Sequence, residues 1–331
     1  MKLRAILVVL VLVFSSTAIA QQPIVIRFSH VVSPDSPKGR AADKFAELAA
    51  QYTNGRAKVA VYPSSRLYPD IEEFAALRSG WVQMLAPSLS KLSALGVREF
   101  EVFDLPYMFP DRAAVLRVMD GPTGQRLLKQ LEPHGVVGLA YWDNGFKQMS
   151  ANRPVVSTSD FKGLKMRVQP GSKVLAAQMQ TLGATPMPIP FSEVYSDLKV
   201  GAVDGTENPM SNFYTQSFFR VQKHLTLSDH GYLGYAVIAN RKFWDALPAD
   251  VRSALERALR EATVYERTIA PTENDAALAA VKEAGTTEVR VLTPEERAAW
   301  QEALRPVHRE FEGRIGSELM SSVRQAATGV K

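Results

Sequence analysis

The chain has 331 residues, no cysteine and a formal net charge of +5. A single core stops growing at roughly 250–300 residues, so two cores are expected. The missing thiols exclude disulfides, cysteine nucleophiles and cysteine metal sites. Charges of both signs are interspersed, which excludes a phosphate-tracking surface and with it nucleic acid as a partner.

Lys2 and Arg4 form a basic start, residues 5–14 are an apolar run, and Ala18-Ile19-Ala20 is a small-residue cleavage site. Residues 1–20 are therefore expected to be an export signal. The run is about half of the ~20 residues a spanning helix needs. An uncleaved anchor is the alternative. The mature chain is expected to begin near Gln21, in the periplasm, without stable membrane insertion.

Residues 24–28 read as a buried strand. Ser36 is a helix N-cap with Pro37 at the first helical position. Ala41, Phe45, Leu48, Ala49 and Tyr52 then recur at helical spacing, and Asn54-Gly55 closes the element. A strand over residues 58–62 and a helix near 71–79 complete a βαβα opening, which predicts a largely parallel sheet covered by helices. Residues 136–140 are strand-like and residues 142–147 turn-like. Leu164, Met166 and Val168 alternate with Lys165, Arg167 and Gln169, the pattern of a half-buried strand. A helix over residues 172–182 follows, then a short one capped by Ser192, and a dense polar turn at residues 204–209.

From Pro248, an apolar stripe of Val251, Leu255, Ala258, Leu259, Ala262 and Tyr265 marks the longest helical pattern, which resumes after Pro271. It reads as one bent helix over about 248–284, or as two helices with a turn at Pro271. Thr293-Pro294-Glu295-Glu296 is a capping box opening a terminal helix.

No nucleophile elbow, phosphate loop or dinucleotide-binding turn is present, and the five histidines lack zinc spacing. These absences point away from an enzyme, a metal site and a cofactor. Lys38 sits in the first turn of a helix, where a cation opposes the helix dipole unless an anion docks there. An exposed lysine is the other reading. Arg167 carries the fork that matches a carboxylate with two parallel bonds, although a strand arginine by itself also fits a surface. Asn208, before Pro209, is biased to an extended backbone that could present its amide.

Several ordered blocks resemble the solute-binding subunits of TRAP transporters, in the dicarboxylate branch. They are Phe28-Ser29-His30-Val31-Val32 with Ser36-Pro37-Lys38-Gly39, Phe103-Asp104-Leu105-Pro106-Tyr107, residues 142–152, residues 161–167, residues 190–195, residues 203–209, and Ser228-Asp229-His230-Gly231-Tyr232. The resemblance spans the mature chain. It implies an α/β, two-lobed periplasmic binding protein fold with a long helix across both lobes. Lobe I would comprise residues 21–145 and 234–271, and lobe II residues 146–233 and 272–331.

The resemblance also implies that Arg167 anchors a ligand carboxylate and that Asn208 assists it. Phe191 would be a pocket aromatic. Lys38, Ser88 and Asn144 would hold the second polar end of the ligand. The family often has arginine where this chain has Lys147, which puts a direct contact there in doubt. The expected ligand is a C4-dicarboxylate such as malate, succinate or fumarate, delivered to membrane permease subunits. The alternatives are a monocarboxylate in the same fold, or a receptor that feeds a sensor kinase.

Overall fold

The computed structural model describes residues 22–328, so the expected export segment lies outside the described residues. The strands are β1 (Ile24–Ser29), β2 (Ala57–Tyr62), β3 (Met84–Leu85), β4 (Val136–Ala151), β5 (Lys165–Val168), β6 (Thr185–Pro188), β7 (Gly205–Asn208), β8 (His224–Asn240) and β9 (Glu288–Val291). They form one sheet in the order β2-β1-β3-β8-β4-β7-β5-β6, with β9 on β8.

The βαβα opening gives the expected parallel β1–β2 pair. The sheet is nevertheless mixed rather than largely parallel. β4 and β8, 16 and 17 residues long, run antiparallel over nearly their whole lengths. β1, β2 and β3 join one end of this ribbon, and β5, β6 and β7 join the other. Only β4 and β8 belong to both ends, which makes the fold two-lobed. The register shifts between Gly138 and Ala140, between Asp143 and Gly145, and between Lys147 and Met149. Such bulges bend a strand and increase its twist. Residues 142–147, turn-like in composition, are thus an interrupted stretch of a long strand. The polar segment at residues 204–209 likewise contains β7, every residue of it buried between β4 and β5.

The longest helix runs unbroken over Ala249–Ala284 with Pro271 inside it. Proline cannot donate to the carbonyl four residues back, here that of Arg267. Arg112 Nη2 donates to that carbonyl at 2.6 Å, which satisfies it from outside the helix. Leu255 and Leu259 pack with Phe28 and Phe45 in one core, whereas Ala277 and Val281 pack with Phe213 and Phe218 in another. The helix therefore lies across both lobes. Burying each such leucine contributes about 1.5–3 kcal/mol.

Ser36 and Thr293 cap their helices as expected, through Gly39 N–H and Glu296 N–H. The cap of the short helix Val194–Val200 is Glu193 rather than Ser192, which lies in a preceding 3-10 turn. Among the described residues no helix is long and apolar enough to cross a membrane.

Candidate binding site

A cavity of about 40 Å³ lies beside the middle of the β4–β8 ribbon, where the two lobes meet. The lobes touch over it through named bonds. Ser88 Oγ donates to Gln169 Oε1 at 2.6 Å, and Gln169 Nε2 donates to Ser90 Oγ at 2.8 Å. The Phe191 N–H donates to the Asp70 carboxylate, and Ser172 Oγ donates to Asp104 Oδ2 at 2.9 Å.

Four cations line the cavity: Lys38, Lys91, Lys147 and Arg167. All are at most 5 % exposed, and a buried charge is costly unless it is paired. Two of them are paired within the chain. Lys91 contacts Asp70 and lies 2.7 Å from Glu73. Burial would lower the Lys91 ammonium, but Glu73 and Asp70 hold it above its usual value. Lys147 lies 2.7 Å from Glu207, and His230 Nε2 donates to the other Glu207 oxygen at 2.6 Å. His230 Nδ1 then accepts from Ser228 Oγ at 2.7 Å, which fits the tautomer that the carboxylate selects.

The other two cations form no salt bridge among the described residues. Arg167 donates through Nε to the Ile189 carbonyl at 2.9 Å, and its guanidinium carbon stands 5.7 Å from the Phe191 ring centre. Burial brings the guanidinium down to about 10, still charged at neutral pH. Lys38 Nζ donates to the Ala86 carbonyl at 2.9 Å and lies 3.7 Å from the Tyr235 ring centre. Burial, helped by the Lys91 charge, pulls its ammonium down to about 7. Both side chains would regain favourable electrostatics from an anion placed between them.

Of the sequence-predicted residues, Arg167, Asn208, Lys38, Lys147, Phe191 and Ser88 line this one cavity. Arg167 is buried there rather than on a surface. Lys147 reaches the cavity as one half of an internal ion pair. Asn144 does not line it. Its Nδ2 donates to the Tyr235 hydroxyl at 2.9 Å and its Oδ1 accepts from Ser211 Oγ at 3.0 Å, so it sits behind the ring that supports Lys38. Sequence reasoning missed Asp70, Lys91, Asp104, Gln169, Asn212 and Tyr235 as lining residues. Gln169 was within reach of that reasoning, since it shares the Arg167 face of the alternating strand. The others carry no local signal.

The model of the bacterial extracellular solute-binding proteins of family 7 matches residues 28–314. The chain belongs to that family. Its members are solute-binding receptors, so the protein is a receptor and not an enzyme. The chain is 59 % identical over 315 residues to the C4-dicarboxylate-binding periplasmic protein DctP of Rhodobacter capsulatus, covering 95 % of this chain and 94 % of that one. A TRAP periplasmic solute-binding protein from Shewanella oneidensis, solved with bound succinate, superposes with a TM-score of 0.90 at 42 % identity, covering 92 % and 99 % of the two chains. A homologue from Pseudomonas aeruginosa, solved with bound L-malate, gives 0.84 at 41 % identity and covers 87 % and 100 %. This family 7 receptor thus closes its lobes over a cavity in which two buried cations lack anionic partners.

Proposed function

We propose that the protein captures a C4-dicarboxylate, such as succinate or malate, and delivers it to the membrane permease subunits of a TRAP transporter. The observation that carries this reading is the charge balance of the cavity. Its own carboxylates occupy Lys91 and Lys147, while Arg167 and Lys38 are buried without one. Two unpartnered cations facing one small cavity suit a small molecule with an anion at each end. The ligands named for the relatives above agree with that chemistry.

In this reading Arg167 grips one carboxylate bidentately with Asn208 beside it, and Phe191 packs against the carbon chain. Lys38 and Ser88 take the second carboxylate. Lys147 acts through Glu207, and Asn144 acts by fixing Tyr235. The hinge falls at 145/146 and 233/234, a placement supported by the pairing of Gly145 with Leu233 between register shifts. Gly145 has φ +112°, a conformation that side-chain-bearing residues rarely adopt. Residues 1–20 direct the chain to the periplasm. Ligand binding favours the closed form, which is what lets closure report occupancy.

Isothermal titration with succinate, malate and the monoacid butyrate tests the proposal. One diacid per chain is expected to bind, with butyrate at least about 100-fold weaker, the loss of one charge-assisted end. Equal affinity for butyrate and succinate would remove the second cation from the scheme.

A further inference from the structure

Asp104 ends a 3-10 helix, Arg98–Asp104, and lines the same cavity with its side chain buried. Its Oδ2 accepts from Ser172 Oγ at 2.9 Å. Its Oδ1 has no hydrogen-bond partner, and no cation pairs with it, among the described residues. The charged groups around it are committed elsewhere. Lys147 and His230 hold Glu207, Lys91 holds Asp70 and Glu73, and Arg314 pairs with Glu101 at 2.7 Å. Arg167 and Lys38 face the cavity without carboxylate partners.

The Asp70 and Glu207 carboxylates that line the cavity are paired with Lys91 and Lys147, so an ionised Asp104 would add an unpaired carboxylate beside the two of the ligand, and like charges in one closed space cannot all stay ionised. A neutral carboxyl group there instead gains a donor hydrogen. Burial pushes the Asp104 carboxyl up to about 7, with Lys147 and the Ser172 bond opposing that rise and Glu207 and Glu101 adding to it.

We propose that Asp104 is a ligand-contact residue in its neutral form, donating a hydrogen bond from Oδ1 to one carboxylate of the bound dianion. Closure then takes up one proton from solvent for each dianion captured. This inference rests on the dicarboxylate reading above. With the lobes apart, the carboxyl faces water and ionises as an ordinary aspartate. With the lobes shut on the ligand, it holds its proton. Between those two states the affinity falls as pH rises, since each lost proton must be regained on binding.

The test is titration calorimetry with succinate at pH 8, in phosphate and in Tris, whose ionisation enthalpies differ. A ligand carboxylate beside Asp104 raises its carboxyl beyond what burial alone does, so the wild type is expected to take up close to one proton per ligand, with its affinity weakening by up to about tenfold per pH unit between pH 8 and 9. Asp104→Asn keeps a donor at the same place without the titration. It is expected to take up no proton and to bind with an affinity that stays flat between pH 8 and 9. Unchanged proton uptake in Asp104→Asn would place the proton on another group and overturn the proposal. A wild type that takes up no proton overturns it even if the variant fails to fold. Failure of the dicarboxylate reading itself looks different, because succinate and malate would then not bind at any pH.

Discussion

Replacing Arg167 with methionine should separate binding from stability. The side chain is 5 % exposed, its only hydrogen bond goes to the Ile189 carbonyl, and no carboxylate pairs with it among the described residues. Two charge-assisted bonds to a ligand carboxylate contribute about 1.5–3 kcal/mol each, together about 3–6 kcal/mol, or roughly 100-fold to 10,000-fold in affinity. The unliganded protein faces a different balance. Methionine removes an unpaired buried charge, and apolar replacements of buried ionic groups are commonly neutral or stabilising by about 1–4 kcal/mol. Against that stands one lost bond to Ile189, about 1 kcal/mol. Arg167→Met should therefore bind succinate at least about 100-fold more weakly, while its melting temperature without ligand stays level or rises. Calorimetry and differential scanning measure the two quantities on one preparation. Affinity within threefold of wild type, or a fall of several degrees in the unliganded melting temperature, would refute the reasoning.

Lys38→Met should lower succinate affinity by about tenfold to a little over a hundredfold, one charge-assisted bond, and leave butyrate binding little changed. Competition binding with both acids reads the ratio directly. Glu207→Gln should cost about 3–5 kcal/mol of stability at neutral pH, because Lys147 is left buried without its partner. Burial alone would raise the Glu207 carboxyl, yet Lys147 and His230 hold it well below the usual carboxylate range. Its contribution is thus complete above about pH 4.5 and fades as pH falls toward the lowered value. The urea midpoint of the wild type should consequently drop more steeply below pH 4.5 than that of Glu207→Gln, and parallel curves would count against this pairing.

The parts of the fold that sequence announces are those fixed by neighbours in the chain. Ser36-Pro37 and the Thr293–Glu296 box name helix starts because a cap and the backbone N–H that donates to it lie within one turn. Arg167 could be placed on a strand face because alternation is a two-residue rule. Residues 142–147 were misleading for a physical reason. Asp143, Asn144 and Gly145 have turn chemistry, but pairing along β8 overrides it and uses the glycine at a bulge. The polar run at residues 204–209 misled in the same way, since its buried polar groups meet partners on β4, β8 and a helix rather than water. The Asp70–Glu73–Lys91 cluster and the neutralisation of Lys147 by Glu207 join residues tens of positions apart, and no local pattern encodes such pairs. The Arg267 carbonyl that Pro271 leaves without a helical donor is met by Arg112, 155 residues earlier, a pairing no local pattern reveals.

Because Phe28 and Phe45 share a core with Val237, Leu255 and Leu259, an early part of the chain is completed by one roughly two hundred residues later. A polypeptide emerging from its N-terminus has Phe45 and β2 beside its first strand early, but the rest of that core arrives only when roughly three quarters of its length has followed, and contacts of such separation form slowly. The same separation means that neither lobe can be obtained as a contiguous fragment, so truncation at the hinge should yield two pieces that fold only when they are mixed.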